Sequence, residues 1–117
     1  MGISVTNNQK FFGLVELDAS GRVVFCSPLG ENNFSSNIAE GVRGRDFFTE
    51  VAPFENAEEF RQCINNFRVS SRQASSINFT CRYKDGPLNV RVLLARIRER
   101  SDEHLTKSIL VHMRKAQ

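Results

Sequence analysis

The sequence has no tryptophan, and histidine, tyrosine and proline are scarce. It contains two His, one Tyr and three Pro in 117 residues, against ten Phe. It also lacks a Gly-rich phosphate loop and a GxSxG nucleophile motif. With only two histidines for acid–base chemistry and no nucleophile motif, the sequence shows no recognisable active site. We therefore predict that the protein is not an enzyme. The Phe residues supply large apolar side chains whose rings carry no polar atoms that need partners in a core.

Cysteine is also sparse, with Cys26, Cys63 and Cys81 far apart in the chain. An odd, widely spaced set does not make a disulfide framework, and no CxxC pair suggests a zinc site. Cys63 and Cys81 fall in apolar patterns, which favours buried small side chains over redox-sensing thiols. We predict no metal site.

No apolar run approaches the ~20 residues that a membrane-spanning helix needs. The first ten residues, MGISVTNNQK, have no apolar stretch typical of a signal peptide, so we expect a cytoplasmic protein without membrane contact. The net charge of +3 is too small to indicate nucleic-acid binding. Basic residues in the last third alternate with Val, Leu and Ile, which favours a solvated strand face over a phosphate-binding surface.

The first part of the chain predicts a β-hairpin. Residues 11–17 and 22–26 are mostly apolar, and the Asp, Ser and Gly between them are turn formers. Residues 27–44 are rich in Asn, Ser and Gly, and we predict short helical turns and loops there. Residues 45–51 form another predicted helical turn that ends near Pro53.

The clearest predicted helix covers residues 57–67. Asn56 is its predicted N-cap, and Glu58 and Glu59 complement the helix dipole in the first turn. One buried face follows from the i, i+3, i+4, i+7 spacing of its apolar residues: Phe60, Cys63, Ile64 and Phe67.

Three strands are predicted next, over residues 77–83, 88–98 and 108–114. The first two alternate between apolar and polar residues. The last is apolar on both faces and should therefore be central or covered. Two strands before a helical block and three after it predict an α+β fold.

The order of these elements and several local sequences resemble the photoactive yellow proteins, a family of PAS domains. The most specific match is GRDFFTEVAP at residues 44–53, supported by Phe12-Gly13, by Glu59-Phe60 and by the strand around Tyr83. This resemblance covers roughly residues 12–114. It implies a PAS fold, in which a five-stranded antiparallel sheet carries helices on one face. It also implies a bacterial sensor or interaction domain, with residues 1–11 as an N-terminal cap and 12–117 as the PAS domain.

The sequence departs from that family where the family holds its chromophore. The family's attachment cysteine follows Val-Ala-Pro, and Phe54 stands there. The family's tyrosine and glutamate beside the chromophore correspond to Cys26 and to Gly30, with Glu31 as an alternative position. We therefore predict no covalent chromophore and no cofactor.

Two functions remain open. One is a signalling or protein-interaction domain whose cavity is filled by its own side chains. The alternative is a sensory domain that binds a small ligand or haem without a covalent link. The predicted cavity lining consists of Val15, Leu17, Cys26, Phe54, Tyr83, Leu94 and His112. A haem-ligand role for His112 is less favoured than an ordinary strand histidine.

The interaction reading also predicts a working surface on the opposite face of the sheet. Its predicted residues are Leu93, Ile97, Ile109, Val111 and Met113, with Arg91 among them. A sheet face this apolar is expected to be covered. The expected cover is a second copy in a homodimer or a partner protein, with Ile3, Val5 and Phe11 of the cap covering part of it.

Overall fold

The computed structural model describes residues 10–28, 41–101 and 106–116, which form five strands and two helical segments. The strands are β1 (Gly13–Asp18), β2 (Val23–Pro28), β3 (Ala74–Tyr83), β4 (Gly86–Arg98) and β5 (Thr106–Lys115). A π-helical turn spans Phe47–Val51, and the helix α1 spans Ala57–Val69.

The strands form a single antiparallel sheet in the order β2-β1-β5-β4-β3. Strand β5 is central, while β2 and β3 are the edges. The predicted α+β fold with a five-stranded antiparallel sheet is confirmed, and so is the central position of the last strand.

The register of the sheet defines its two faces, because directly opposite residues of antiparallel strands point to the same side. Val111 is opposite both Val15 and Leu94, and all three are buried. We call this side, which packs beneath α1, the inner face. His112 is opposite Leu14 and Leu93, on what we call the outer face.

Helix α1 places its predicted apolar side against the inner face, with Phe60, Ile64 and Phe67 buried. Asn56 is the N-cap residue, as predicted, but its side chain makes no capping hydrogen bond to the helix. Instead, its amide donates to the Thr80 carbonyl at 2.8 Å and accepts from the Arg82 N–H at 2.9 Å. Two hydrogen bonds to the neighbouring strand edge therefore take the place of a side-chain capping bond.

The turn between β1 and β2 is tied to the π-helical turn. The Phe47 N–H donates to the Gly21 carbonyl at 2.9 Å, and the Asp46 carboxylate caps the π-helical turn through the Phe48 and Thr49 N–H groups. Gly21 has a φ of +87°, and a Cβ at this position would lie 3.0 Å from the Phe48 ring. Glycine is therefore required both by backbone conformation and by space.

Candidate functional site: an aromatic core and an outer sheet face

Phe54 lies between the π-helical turn and α1, with its side chain directed into the core. It is 4% exposed. Its ring centroid lies 5.7 Å from that of Phe60, 6.2 Å from Phe79 and 5.9 Å from Tyr83. The contacts to Phe60 and Tyr83 are edge-to-face, a favourable arrangement for aromatic quadrupoles. Phe54 is thus an integral part of the core packing.

Further rings extend this packing under α1. Phe60 lies 5.0 Å from Phe79 and 6.2 Å from Phe47, and Phe47 lies 6.1 Å from Phe11. We call the set the aromatic core: Phe11, Phe47, Phe48, Phe54, Phe60, Phe79 and Tyr83. These rings pack between the inner face, the helix and the π-helical turn.

The three thiols are poor nucleophiles. Burial raises the pKa of the Cys81 thiol to about 12 and that of the Cys26 thiol to about 11. Burial and the nearby Glu59 carboxylate raise the pKa of Cys63. A neutral thiol attacks activated acyl groups slowly, since the thiolate is the reactive form. None of the three cysteines is therefore activated as a nucleophile.

Tyr83 connects the aromatic core to the start of the described chain. Its hydroxyl accepts a hydrogen bond from the Phe11 N–H at 3.3 Å. The Lys10 ammonium lies 4.6 Å from the Tyr83 ring centroid and 2.8 Å from the Asp85 carboxylate, and that hydrogen bond lowers the pKa of Asp85. Burial raises the pKa of Tyr83 above its usual range, so this hydroxyl stays neutral.

Arg96 is a buried cation on the inner face that binds main-chain oxygens. Its guanidinium donates to four carbonyls at the end of α1 and in the next loop: Phe67, Arg68, Ser70 and Arg72. It also donates to the Thr106 hydroxyl at 2.6 Å and lies over the Phe67 ring. The last carbonyls of a helix carry partial negative charge, so a cation there is stabilised. We interpret Arg96 as a structural clamp between α1 and β5.

The outer face carries apolar side chains across four adjacent strands. Leu93 is opposite His112, which in turn is opposite Leu14. The next row runs across the sheet through Ala95, Leu110, Glu16 and Phe25. Leu93 is 41% exposed and Phe25 is 44% exposed. Apolar side chains so close together on one sheet are more than scattered surface hydrophobics.

The outer face also carries charges of opposite sign. Arg91 and Arg114 are exposed and lie directly opposite each other, one row beyond Leu93 and His112. Glu16 lies within the Leu110 row, and its carboxylate accepts a hydrogen bond from the Ser108 hydroxyl at 2.6 Å. Like charges directly opposite on a sheet are unfavourable unless another group compensates them. The outer face therefore has a basic end and an acidic position, separated by the Leu93 row.

The structure corrects the predicted faces of β5. Ile109, Val111 and Met113 were predicted for the working surface, but all are fully buried on the inner face. His112 was predicted to line the cavity, but it lies on the outer face beside Leu93. Pairing with Val15 and Leu94 decides the orientation, because it brings the odd-numbered residues of β5 under the helix.

The remaining predicted site residues are found on both sides of the sheet. Val15, Leu17, Cys26, Phe54, Tyr83 and Leu94 are buried or half-buried and face the core, while Leu93 and Ile97 are on the outer face. Phe11 is a correction, because it packs inside the aromatic core and covers none of the outer face. Ile3, Val5, Gly30 and Glu31 lie outside the described residues.

Sequence reasoning missed Leu14, Leu110 and Phe25 as outer-face residues. Period-two alternation places Leu14 on the other face of β1 from Val15, and Phe25 on the other face of β2 from Val24. An irregularity in the β1–β2 register between Glu16 and Leu17 further shifts the second strand. Alternation alone therefore does not assign Val24, which is also exposed.

Two kinds of site are absent from the described part of the chain. No helix there is long and apolar enough to cross a membrane. Nor do residues 10–28, 41–101 and 106–116 bring three His, Cys, Asp or Glu side chains together as a metal site would require.

No protein-family model matches the sequence. The chain is similar to photoactive yellow protein from Halochromatium salexigens, with 29% identity over 85 residues, which cover 73% of this chain and 67% of that protein. It also superposes on the photoactive yellow protein domain of the sensor histidine kinase Ppr from Rhodospirillum centenum. That match has a TM-score of 0.52 and 22% identity, and covers 88% of this chain and 84% of the other.

The LOV domain of the blue-light photoreceptor Aureochrome1 gives a TM-score of 0.53 at 18% identity, covering 90% of this chain and 87% of that domain. The chain is a PAS-like domain. A third structural match is VqmA of Vibrio cholera, solved in complex with a ligand and DNA, with a TM-score of 0.63 and 15% identity. It covers 89% of this PAS-like domain, which spans only 46% of the VqmA chain.

Proposed function

We propose that this PAS-like domain is a signalling and protein-interaction module that carries no covalent chromophore and associates with a second copy through its outer face. The observation that carries the proposal is the exposed apolar surface around Leu93 and Phe25. The comparisons support a sensory or signalling PAS-like domain, and the choice of surface and partner is our inference.

The packing of Phe54 supports the absence of a covalent chromophore. A chromophore attached at this position would need both a thiol and the volume that the Phe54 ring fills between Phe60, Phe79 and Tyr83. Each thiol in the chain has a raised pKa, which disfavours acylation elsewhere. Photoreceptor chemistry of that family is therefore not expected here.

The charge distribution favours a second copy as the occupant of the outer face. Consider a two-fold axis that lies between two such sheets and runs perpendicular to their strands. It would bring the Arg91 and Arg114 end of one copy over the Leu110 row of the other, beside Glu16, and it would stack Leu93 on Leu93. Homo-oligomers use self-complementary patches of this kind in two-fold interfaces. Opposite charges would also favour this orientation over a parallel one.

Sedimentation velocity of the purified protein from about 1 to 100 μM, a range chosen around typical micromolar affinities, tests self-association. A concentration-dependent dimer is the expected result. A monomer at all of these concentrations would contradict self-association, and the outer face would then be expected to bind a different protein.

The absence of a covalent chromophore has its own test. Incubation with activated p-coumarate followed by intact mass measurement should add no thioester mass, and a stable adduct with a visible band would contradict the proposal. Native mass spectrometry of the same sample would reveal a retained small ligand. Such a ligand, or visible absorbance of haem, would favour the sensory alternative.

A further inference from the structure

Strand β3 is an edge strand, and the described residues cover only half of its free side. Its second half is covered by the segment that precedes α1. The Asn56 side chain bonds the Thr80 carbonyl and the Arg82 N–H, and the Glu55 N–H donates to the Arg82 carbonyl at 2.7 Å. Glu55 and Asn56 thus act as a short substitute for a sixth strand, which protects this part of the edge from pairing.

The first half of β3 presents the same backbone groups without such a cover. The β3–β4 register has no irregularity from Ala74 to Tyr83, so the outward direction repeats every second residue. Because Thr80 and Arg82 direct their backbone groups away from β4, Ser76 and Asn78 do so too. Gln73 is consistent with this, since its carbonyl accepts from the Arg96 N–H in β4.

Ser76 and Asn78 are exposed, and no hydrogen bond to their outward backbone groups is found within the described residues. A row of unpaired N–H and C=O groups is a template for another extended chain. This half of the edge is therefore open to a strand that continues the ladder begun by Asn56.

A groove of about 460 Å³ runs beside this open half, between β3 and the second half of α1. Its floor is apolar and includes Phe67, Ile77 and Leu94. Cys63 lies on its helix side, and Asn66, Ser70 and Asn78 provide polar groups around it. Side chains of a strand alternate, so every second side chain of an added strand would point into this groove.

Arg72 gives the groove a positive charge. Its main chain is fixed, since its N–H donates to the Ser70 hydroxyl and its carbonyl accepts from Arg96. Its side chain is exposed and forms no ion pair in the described part of the chain. Among the residues that the structure describes, no acidic side chain lines the groove. The charge therefore complements a carboxylate of an incoming chain.

We propose that the open half of β3 binds an extended segment of a partner protein as a sixth strand. The segment pairs with the backbone of Ser76 and Asn78, places an apolar side chain in the groove and directs an acidic residue to Arg72. A second copy fits less well. Antiparallel pairing of two β3 edges centred on Ser76 would bring Asn56, which covers Thr80 and Arg82 in each copy, against residues 70–72 of the other copy.

The probe is the peptide acetyl-Glu-Val-Thr-Val-Glu-Val-Thr-amide, titrated into ¹⁵N-labelled protein. The expected result is saturable shifts of the Ser76 and Asn78 amide signals. A peptide with Lys in place of both Glu should bind at least about tenfold more weakly, since a charge-assisted contact is lost. Arg72→Glu should reverse that preference, which a merely structural role of Arg72 would not do.

Two proline variants separate pairing from folding. Ser76→Pro removes an outward N–H without touching the β3–β4 ladder, a position where edge strands accept proline, and it should abolish measurable binding. Thr80→Pro lies on the same side of the strand but in the covered half, and its affinity should stay close to that of the parent. Thermal unfolding of both variants verifies that they are folded. The proposal is overturned by absent binding at millimolar peptide, by equal binding of the Glu and Lys peptides, or by shifts confined to the outer face.

Discussion

The two faces of the sheet use the same strands for opposite purposes. On the inner face, Val15, Val92 and Val111 are completely buried beneath α1 and the aromatic core. On the outer face, their sequence neighbours Leu14, Leu93 and His112 form a row that remains half-buried or exposed. The apolar character of a strand thus does not tell which of its sides forms the core. The pairing register and the position of the helix decide which side is buried. Substitutions on the two faces should therefore have different effects.

The largest effect is expected for Val111→Arg. This substitution places a charge on the inner face, where no carboxylate among the described residues is available to pair with it. An unpaired buried charge costs an amount comparable to the whole stability of a small domain. The variant should therefore be unfolded by circular dichroism. Val69→Arg, at a site that is 84% exposed on α1, is the control and should fold normally. A folded Val111→Arg protein would mean that the two faces are assigned the wrong way round.

The next effect is expected for Phe54→Ala, which removes a ring from the aromatic core. Loss of a buried Phe side chain and the resulting cavity should lower the free energy of unfolding by about 3–5 kcal/mol. Urea denaturation measures the change. Phe25→Ala on the outer face is the matched control and should cost much less, because its ring is already 44% exposed. Equal costs for the two variants would remove the distinction between a packed interior and an accessible surface.

Arg96→Leu should destabilise the inner face at the end of α1. The substitution leaves the carbonyls of Phe67 and Ser70, among others, without their charged donor. Loss of hydrogen bonds to a buried charged group suggests a cost of about 3 kcal/mol in urea denaturation. Arg96→Lys should recover only part of it, because an ammonium cannot reproduce the planar fork of the guanidinium. Full recovery with Lys would show that charge alone matters at this position.

A smaller effect should appear as stability falls at alkaline pH. Burial raises the pKa of Cys26 to about 11 and that of Cys81 to about 12, above their values in the unfolded chain. Above the unfolded-state pKa, the unfolded protein therefore loses protons that the folded protein retains, and stability decreases as pH rises toward 11. Urea denaturation between pH 7 and 10.5 measures this slope. It should become shallower in a Cys26→Ala/Cys81→Ala variant, whereas an unchanged slope would exclude the thiols as its cause.

The sequence was sufficient for the order of the elements and for the helix, because their periodicities are unambiguous. Phe60, Ile64 and Phe67 recur at helical spacing, and Cys81 and Tyr83 alternate with polar residues. The orientation of β5 could not be obtained in this way, since Ile109, Leu110, Val111 and Met113 are apolar on both sides of the strand. Only its two neighbours in the sheet determine which side is buried. The bonds of Asn56 to β3 were equally inaccessible, because they join residues 24 and 26 positions apart.

We propose that this PAS-like domain binds its partner through the outer face of the sheet. The most direct test of this proposal is sedimentation velocity of Leu93→Arg beside the parent protein and the Val69→Arg control. Leu93 is 41% exposed, so an Arg there should change the free energy of unfolding by no more than about 0.5 kcal/mol. We predict that Leu93→Arg sediments as a folded monomer at concentrations where the parent and Val69→Arg are dimers. A Leu93→Arg protein that dimerises as strongly as the parent would contradict dimerisation through the outer face.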